Sequence, residues 1–258
     1  MPNVVSRGTD VSYAQGTINW PVVAKNVDFA MIRATLGYPS PGFTGVDRCW
    51  EANISGAVNS GIPFGLYHYS YALTTDAAKK EAENFLDKIK GYKPTYPVAF
   101  DFEEPKQLAL PAETQMDIID TFMETVEQAG YYAVLYMSAS PMLALMRAQK
   151  ERMGFYDKWV AHVGVASPAV SGGIWQYSWK GEVPGIRDDL PSGHAQKGVD
   201  LDYAYKDYPN LIKSNGKNGW GKRVPTEPVI ETVPKAEYDA LETKYNALIN
   251  GMKALIGG

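Results

Sequence analysis

The sequence predicts an α/β protein, an irregular (β/α) barrel of eight strands, and three observations predict it. Through roughly the first 150 residues, short β-rich runs alternate with helical stretches. After residue 150 three more β-rich runs follow, but their connections are Pro/Gly-rich and too short for regular helices. Near residue 222 the composition shifts to a proline-containing stretch and then to a heptad pattern.

The strand candidates are "GTDVSY" (8–13), "FAMIRAT" (29–35), "PFGLYHYSY" (63–71), "YPVAFDFE" (96–103) and "YYAVLYMS" (131–138). Helical stretches lie between them: Asp47 to Ser60 before Gly61, Asp76 to Lys90 before Gly91, and Glu113 to Ala129 before Gly130. Each ends at a glycine, a C-terminal stop signal. Strands spaced by helices of this length read as parallel βα units, because parallel neighbours need a crossover. "DKWVAHV", "GGIWQYSW" and "KGVDLDYAY" complete eight strands. A doubly wound open sheet is the alternative, but no Gly-rich loop stands between a strand and a helix to hold a nucleotide. The domain reading is therefore a barrel over 1–221, a linker over 222–235 and an amphipathic helix over 236–258. "KRVPTEPVIETVP" reads as extended. Tyr238, Leu241, Tyr245, Leu248, Met252 and Leu255 follow at a/d heptad spacing. That stripe either associates copies of the chain into a homo-oligomer or lies back on the barrel.

Composition narrows the partners. A net charge of −4 argues against nucleic acid, and the tail's charges cancel, so the acidity belongs to the barrel. The one cysteine, Cys49, excludes an internal disulfide framework. No histidine or cysteine spacing suggests a metal, and no cofactor motif is present. No apolar run approaches a membrane span, which argues against membrane insertion. "MPNVVSRGTDVSYAQG" shows no secretory signal, so the expected location is a cytoplasm from which another protein releases it.

The chemistry concentrates in "FDFEE" (100–104). Side chains alternate along a strand, so Asp101 and Glu103 share one face while Phe102 and Glu104 take the other. At the C-terminal end of a barrel strand the inward face is where active sites are built. Two carboxyls side by side there resist ionising together, and the raised proton affinity of one suits a general acid. Asp10 in the first strand and Asp200 and Asp202 in the last converge on the same mouth if the barrel closes. Taken singly, each reads as a capping or solvated acid. Tyr67, Tyr69, Tyr136, Trp175 and Tyr177 lie at comparable places, and aromatic faces stack on sugar rings. They are also good strand formers. His68 reads as a packed, hydrogen-bonded histidine. An acid-rich, aromatic-lined cleft without a metal set reads as a carbohydrate site.

Taken together, "GTDVSYAQG", "GLYHYSYA" with "DAAKKEAENFLD", "YPVAFDFEE", "GYYAVLYMSA", "IWQYS" and "GVDLDYAY" resemble the glycoside hydrolase family 25 lysozymes over about residues 5 to 210. These are N-acetylmuramidases, many of them phage endolysins. The resemblance implies eight strands with about five helices. It also implies cleavage of the β-1,4 bond from N-acetylmuramic acid to N-acetylglucosamine in bacterial peptidoglycan. Carried over by position, Glu103 is the acid that protonates the leaving oxygen and then activates water, and Asp101 steadies the substrate N-acetyl group. Asp10 and Asp200 complete the acidic floor, Asp200 being preferred to Asp202. Arg33 stands where many members of the family carry lysine; it binds substrate carbonyls or balances the acids. Two other functions stand beside this one: hydrolysis of another N-acetylhexosamine polymer such as chitin, or non-catalytic cell-wall binding. The joint presence of Asp10, Asp101, Glu103 and Asp200 argues against pure binding, which has no need of mutually repelling acids.

Overall fold

The computed structural model describes residues 3–190 and 198–221. Eight strands close into a barrel in chain order: β1 (Ser6–Val11), β2 (Phe29–Leu36), β3 (Phe64–Tyr69), β4 (Val98–Asp101), β5 (Ala133–Ser138), β6 (Asp157–Ala161), β7 (Ile174–Gly181) and β8 (Val199–Ala204). Closure excludes the open sheet. Strands β1 to β7 run parallel, whereas β8 is antiparallel to both β7 and β1. The described residues between β7 and β8 hold no crossover helix, and a return without a crossover reverses direction. The beginning of β8, rather than its end, therefore reaches the mouth formed by the C-terminal ends of β1 to β7.

Eight α-helices surround the strands among the described residues: α1 (Trp20–Val23), α2 (Trp50–Ser60), α3 (Thr75–Ile89), α4 (Pro105–Leu108), α5 (Ala112–Gln128), α6 (Ala139–Ala148), α7 (Lys150–Gly154) and α8 (Tyr208–Ser214). Helices α2, α3 and α5 are the three read from sequence, each shifted by up to three residues at an end. Helix α2 stops at Gly61, whose φ of 70° is left-handed and favours glycine. Helix α3 starts at Thr74, whose hydroxyl accepts from the Ala77 amide. It buries Ala78, Ala82, Phe85 and Ile89, and also one charged residue, Glu81. The pair α6 and α7 fills a stretch where the sequence reading placed no helix. Pro141 sits in the first turn of α6, where a missing N–H costs nothing, and Met142 and Leu145 are buried.

Two apolar layers follow from strand alternation. Ile32, Leu66, Phe100, Phe85 and Phe122 belong to the layer between strands and helices. Phe29, Met31, Val134, Trp159 and Ile174 fill the barrel, with Tyr208 and Ile212 of α8 joining them from below. Gly8 is required here: a Cβ on it would come within 3.0 Å of the Phe29 ring, which is stacked on Tyr96. The described residues all fall in one compact unit, Met1–Arg223. The linker (222–235) and amphipathic helix (236–258), with their self-association, lie outside the described residues.

Candidate active site

The barrel mouth gathers five carboxyls. β4 ends with the Asp101 side chain buried. Phe102 turns outward against Phe100, and its N–H donates to the Tyr136 carbonyl at 3.1 Å, which holds the backbone straight beyond the strand. Glu103 thus returns to the inward side, half-buried, while Glu104 accepts the Tyr69 hydroxyl at 2.7 Å and opens helix α4. Across the barrel, Asp10 of β1 lies directly opposite Asp200 in the antiparallel register, and Asp202 lies opposite Gly8, one step deeper. Residues two apart on one strand share a face, so all three acids point inward.

Burial and mutual repulsion raise the proton affinity of every member. Asp10 and Asp101 are held well above the usual carboxylate range, chiefly by burial. Asp202 adds to the effect on Asp10, and Glu103 and Asp10 add to that on Asp101. Glu103 is raised by burial and by Glu104, with Arg33 pulling the other way. Asp200 is pushed up to about 8 by burial and then by Asp10 and Glu103, and Asp202 to about 8 mainly by burial. Asp202 accepts from the Trp159 indole at 2.7 Å. Its other oxygen finds no N–H or O–H donor apart from a proton shared with Asp10. Asp101 Oδ1 is likewise buried with no hydrogen-bond partner. An acceptor aimed into a mouth without a donor is ready for a donor on a ligand.

Among the described residues, one cation faces this cluster. Arg33, buried on β2, donates from Nε to Asp47 Oδ2 at 2.8 Å, and its guanidinium lies 4.8 Å from the Tyr13 ring centre. Its Nη2 is buried and unpartnered. Asp47 fixes the arrangement by also accepting from the amides of Tyr13 and Cys49.

Of the aromatic candidates, Tyr67, Tyr69 and Tyr136 line the mouth. Tyr67 packs edge-on against Trp159, as does Tyr136. The Tyr136 hydroxyl donates to Gln176 Oε1 at 3.0 Å. Trp175 and Tyr177 do not join them. Gln176 is the inward residue of β7, donating from Nε2 to Asp10 Oδ2 at 2.8 Å, so its two neighbours face outward. There Trp175 and Tyr177 pack on Tyr203. Gln176, Trp159 and Asp47, each bonded to a charged residue of the mouth, were missed by the sequence reading. A cavity of about 1000 Å³ beside Gln15–Trp20 and Gly185–Leu190 is lined by none of the five carboxyls.

The ionisation of the cluster has a consequence for stability. Between an ordinary aspartate value of 3.8 and about 8, the folded protein keeps an Asp200 proton that the unfolded chain has lost. Asp200 therefore makes the protein less stable as pH rises through that window. Asp200→Asn is expected to gain about 1–3 kcal/mol over wild type at pH 8, each tenfold change in proton affinity being worth ~1.4 kcal/mol before screening. The gain should vanish near pH 4, as chemical denaturation at the two pH values will show.

Comparison with known proteins agrees with this geometry. Residues 9–186 match the glycosyl hydrolases family 25. Lysozyme M1 of Streptomyces globisporus is 30% identical over 198 residues, 71% of this chain and 65% of that protein. The chain thus spans just under two thirds of that relative's length. The lysozyme of Streptomyces coelicolor superposes with a TM-score of 0.67 at 25% identity, covering 83% of this chain and 98% of that one. The catalytic domain of endolysin ply40, from bacteriophage P40 of Listeria monocytogenes, gives 0.62 at 25% identity, covering 81% and 97%. With the family's match covering most of a chain whose barrel mouth carries a cluster of carboxyls, the protein belongs to the glycosyl hydrolases of family 25.

Proposed function

We propose that the protein is a peptidoglycan muramidase, hydrolysing the β-1,4 bond from N-acetylmuramic acid to N-acetylglucosamine. One observation carries the reading: two acids from one strand end stand side by side with different surroundings. Asp101 is buried with an empty acceptor, and Glu103 is half-buried with its proton affinity raised. A protonated, reachable Glu103 delivers its proton to the glycosidic oxygen as the C1–O bond breaks. The substrate's own N-acetyl carbonyl oxygen closes on C1, and Asp101 Oδ1 accepts its amide N–H, holding the group in line for that attack. Glu103, now a carboxylate, takes a proton from water as the water oxygen opens that ring. The enzyme returns to its starting protonation state, with one water consumed. Substrate-assisted hydrolysis of this kind is a known departure from the two-carboxylate scheme. Asp10 and Asp200 complete the acidic floor, their protons held there by burial, and Arg33 faces them.

The biological setting we propose is lysis of a bacterial host by a phage, supported by the likeness to a phage endolysin catalytic domain. Among the described residues no helix is long and apolar enough to cross a membrane. The bond itself is tested by digesting purified peptidoglycan, reducing the fragments with borohydride and weighing them. Muramitol at the new end supports the reading; glucosaminitol there would replace it with a glucosaminidase.

A further inference from the structure

Trp179 combines two properties that a packing role does not require together. The residue is 55% exposed and belongs to neither apolar layer. Yet its indole N–H reaches the barrel interior, donating to Gln176 Oε1 at 2.9 Å. The same Gln176 holds Asp10 Oδ2 at 2.8 Å and accepts the Tyr136 hydroxyl. Strict alternation would send residue 179 to the outer face with Trp175 and Tyr177. The pairing of β7 with β8 slips between Gln176 and Ser178 and again between Ser178 and Gly181, and these irregularities turn Trp179 back over the mouth. Bulges re-aim side chains in this way beside active sites. The polar edge of the ring is pinned to Gln176, which in turn holds Asp10, and more than half of the residue is left to water.

We propose that Trp179 is a stacking platform for a pyranose ring of the bound glycan strand, gripping the polymer beside the acids without taking part in bond cleavage. An indole face matches the C–H face of a sugar, and the bond to Gln176 fixes its orientation before the ligand arrives, so little ordering is needed on binding. This rests on the muramidase reading of the same mouth. It adds a specificity-determining residue supplied by an irregular strand.

The test uses soluble, uncrosslinked strands of alternating N-acetylglucosamine and N-acetylmuramic acid. Trp179→Ala should raise KM roughly tenfold, the worth of one aromatic contact, with kcat changed less than twofold. Trp179→Phe, which keeps a ring but loses the N–H, should recover most of that loss. Wild-type KM in Trp179→Ala overturns the proposal. So does equal impairment of both variants, or a fall in kcat alone, since either assigns the residue to holding Gln176. Calorimetric titration of the strands into Glu103→Gln, with and without Trp179→Ala, reads the platform without turnover. A roughly tenfold weaker double variant supports the platform whichever bond the wild type cuts. Equal affinities reject it while leaving the cleavage assignment intact.

Discussion

Glu103→Gln lowers the rate at which purified cell walls are cleared by about 10²–10⁴-fold, the range for loss of a positioned general acid. Glutamine keeps the shape of the side chain and can still donate a hydrogen bond, but it has no proton to give the leaving oxygen. Wall binding should stay close to wild type, because Asp101, Arg33 and the tyrosines around the mouth are undisturbed. The substitution also removes one of the charges that raise the proton affinities of Asp10, Asp101 and Asp200. The folded state should accordingly be no less stable. Turbidity measured beside a pull-down on insoluble walls separates the two effects. Clearing at the wild-type rate would remove Glu103 from the mechanism.

Glu81→Ala is expected to destabilise the fold by about 3–5 kcal/mol, the cost of breaking a buried charged network by deleting one partner. Glu81 is fully buried on α3 and accepts from Ser70 Oγ at 2.6 Å and from the Tyr71 amide at 3.0 Å. It also pairs with His68 Nε2 at 3.1 Å, and His68 Nδ1 meets Thr35 Oγ1 at 2.7 Å. Removing the carboxylate takes away the acceptor of the Ser70 hydroxyl and the Tyr71 amide and the partner of His68 Nε2, beside an apolar layer. The loss reaches the site as well. Gln107 joins Ser70 and the Ala72 carbonyl to the Glu104 amide, so the chain immediately after Glu103 is braced by this network. Urea denaturation of Glu81→Ala and Glu81→Gln checks this, with the amide, which keeps one acceptor, losing less.

The fold was legible where local chemistry and long-range packing agree. Alternating β-rich runs and glycine-stopped helices show the first five strands and α2, α3 and α5, because each segment's periodicity matches the layer it packs into. Helix α6 was hidden by Pro141, which reads as a breaker unless its first-turn position is known. The direction of β8 was hidden for a different reason. An alternating pattern reads identically both ways along a strand, so "GVDLDYAY" places two acids on one face without saying which end reaches the mouth.

At the site, the face shared by Asp101 and Glu103 was legible because Phe102 between them is plainly apolar. "IWQYSW" offers no such contrast. Bulky or polar-tipped residues fill nearly every position, so parity could not be assigned, and Trp175 and Tyr177 were chosen where Gln176 and Trp179 occupy the mouth. A bulge changes parity without leaving a mark in hydropathy. Arg33 was recognisable as the cation of the site, but Asp47, which fixes it from a loop 14 residues on, had no pattern to reveal it.

The central claim is that Glu103 holds the catalytic proton because burial and the neighbouring Glu104 raise its proton affinity. A carbon-13 titration of the glutamate side-chain carboxyls, assigned by comparison with Glu103→Gln, measures this directly in the wild-type chain. The account predicts a Glu103 midpoint above the ordinary 4.5, with kcat/KM falling as pH rises through it. A Glu103 carboxyl that titrates at or below the ordinary value would contradict it.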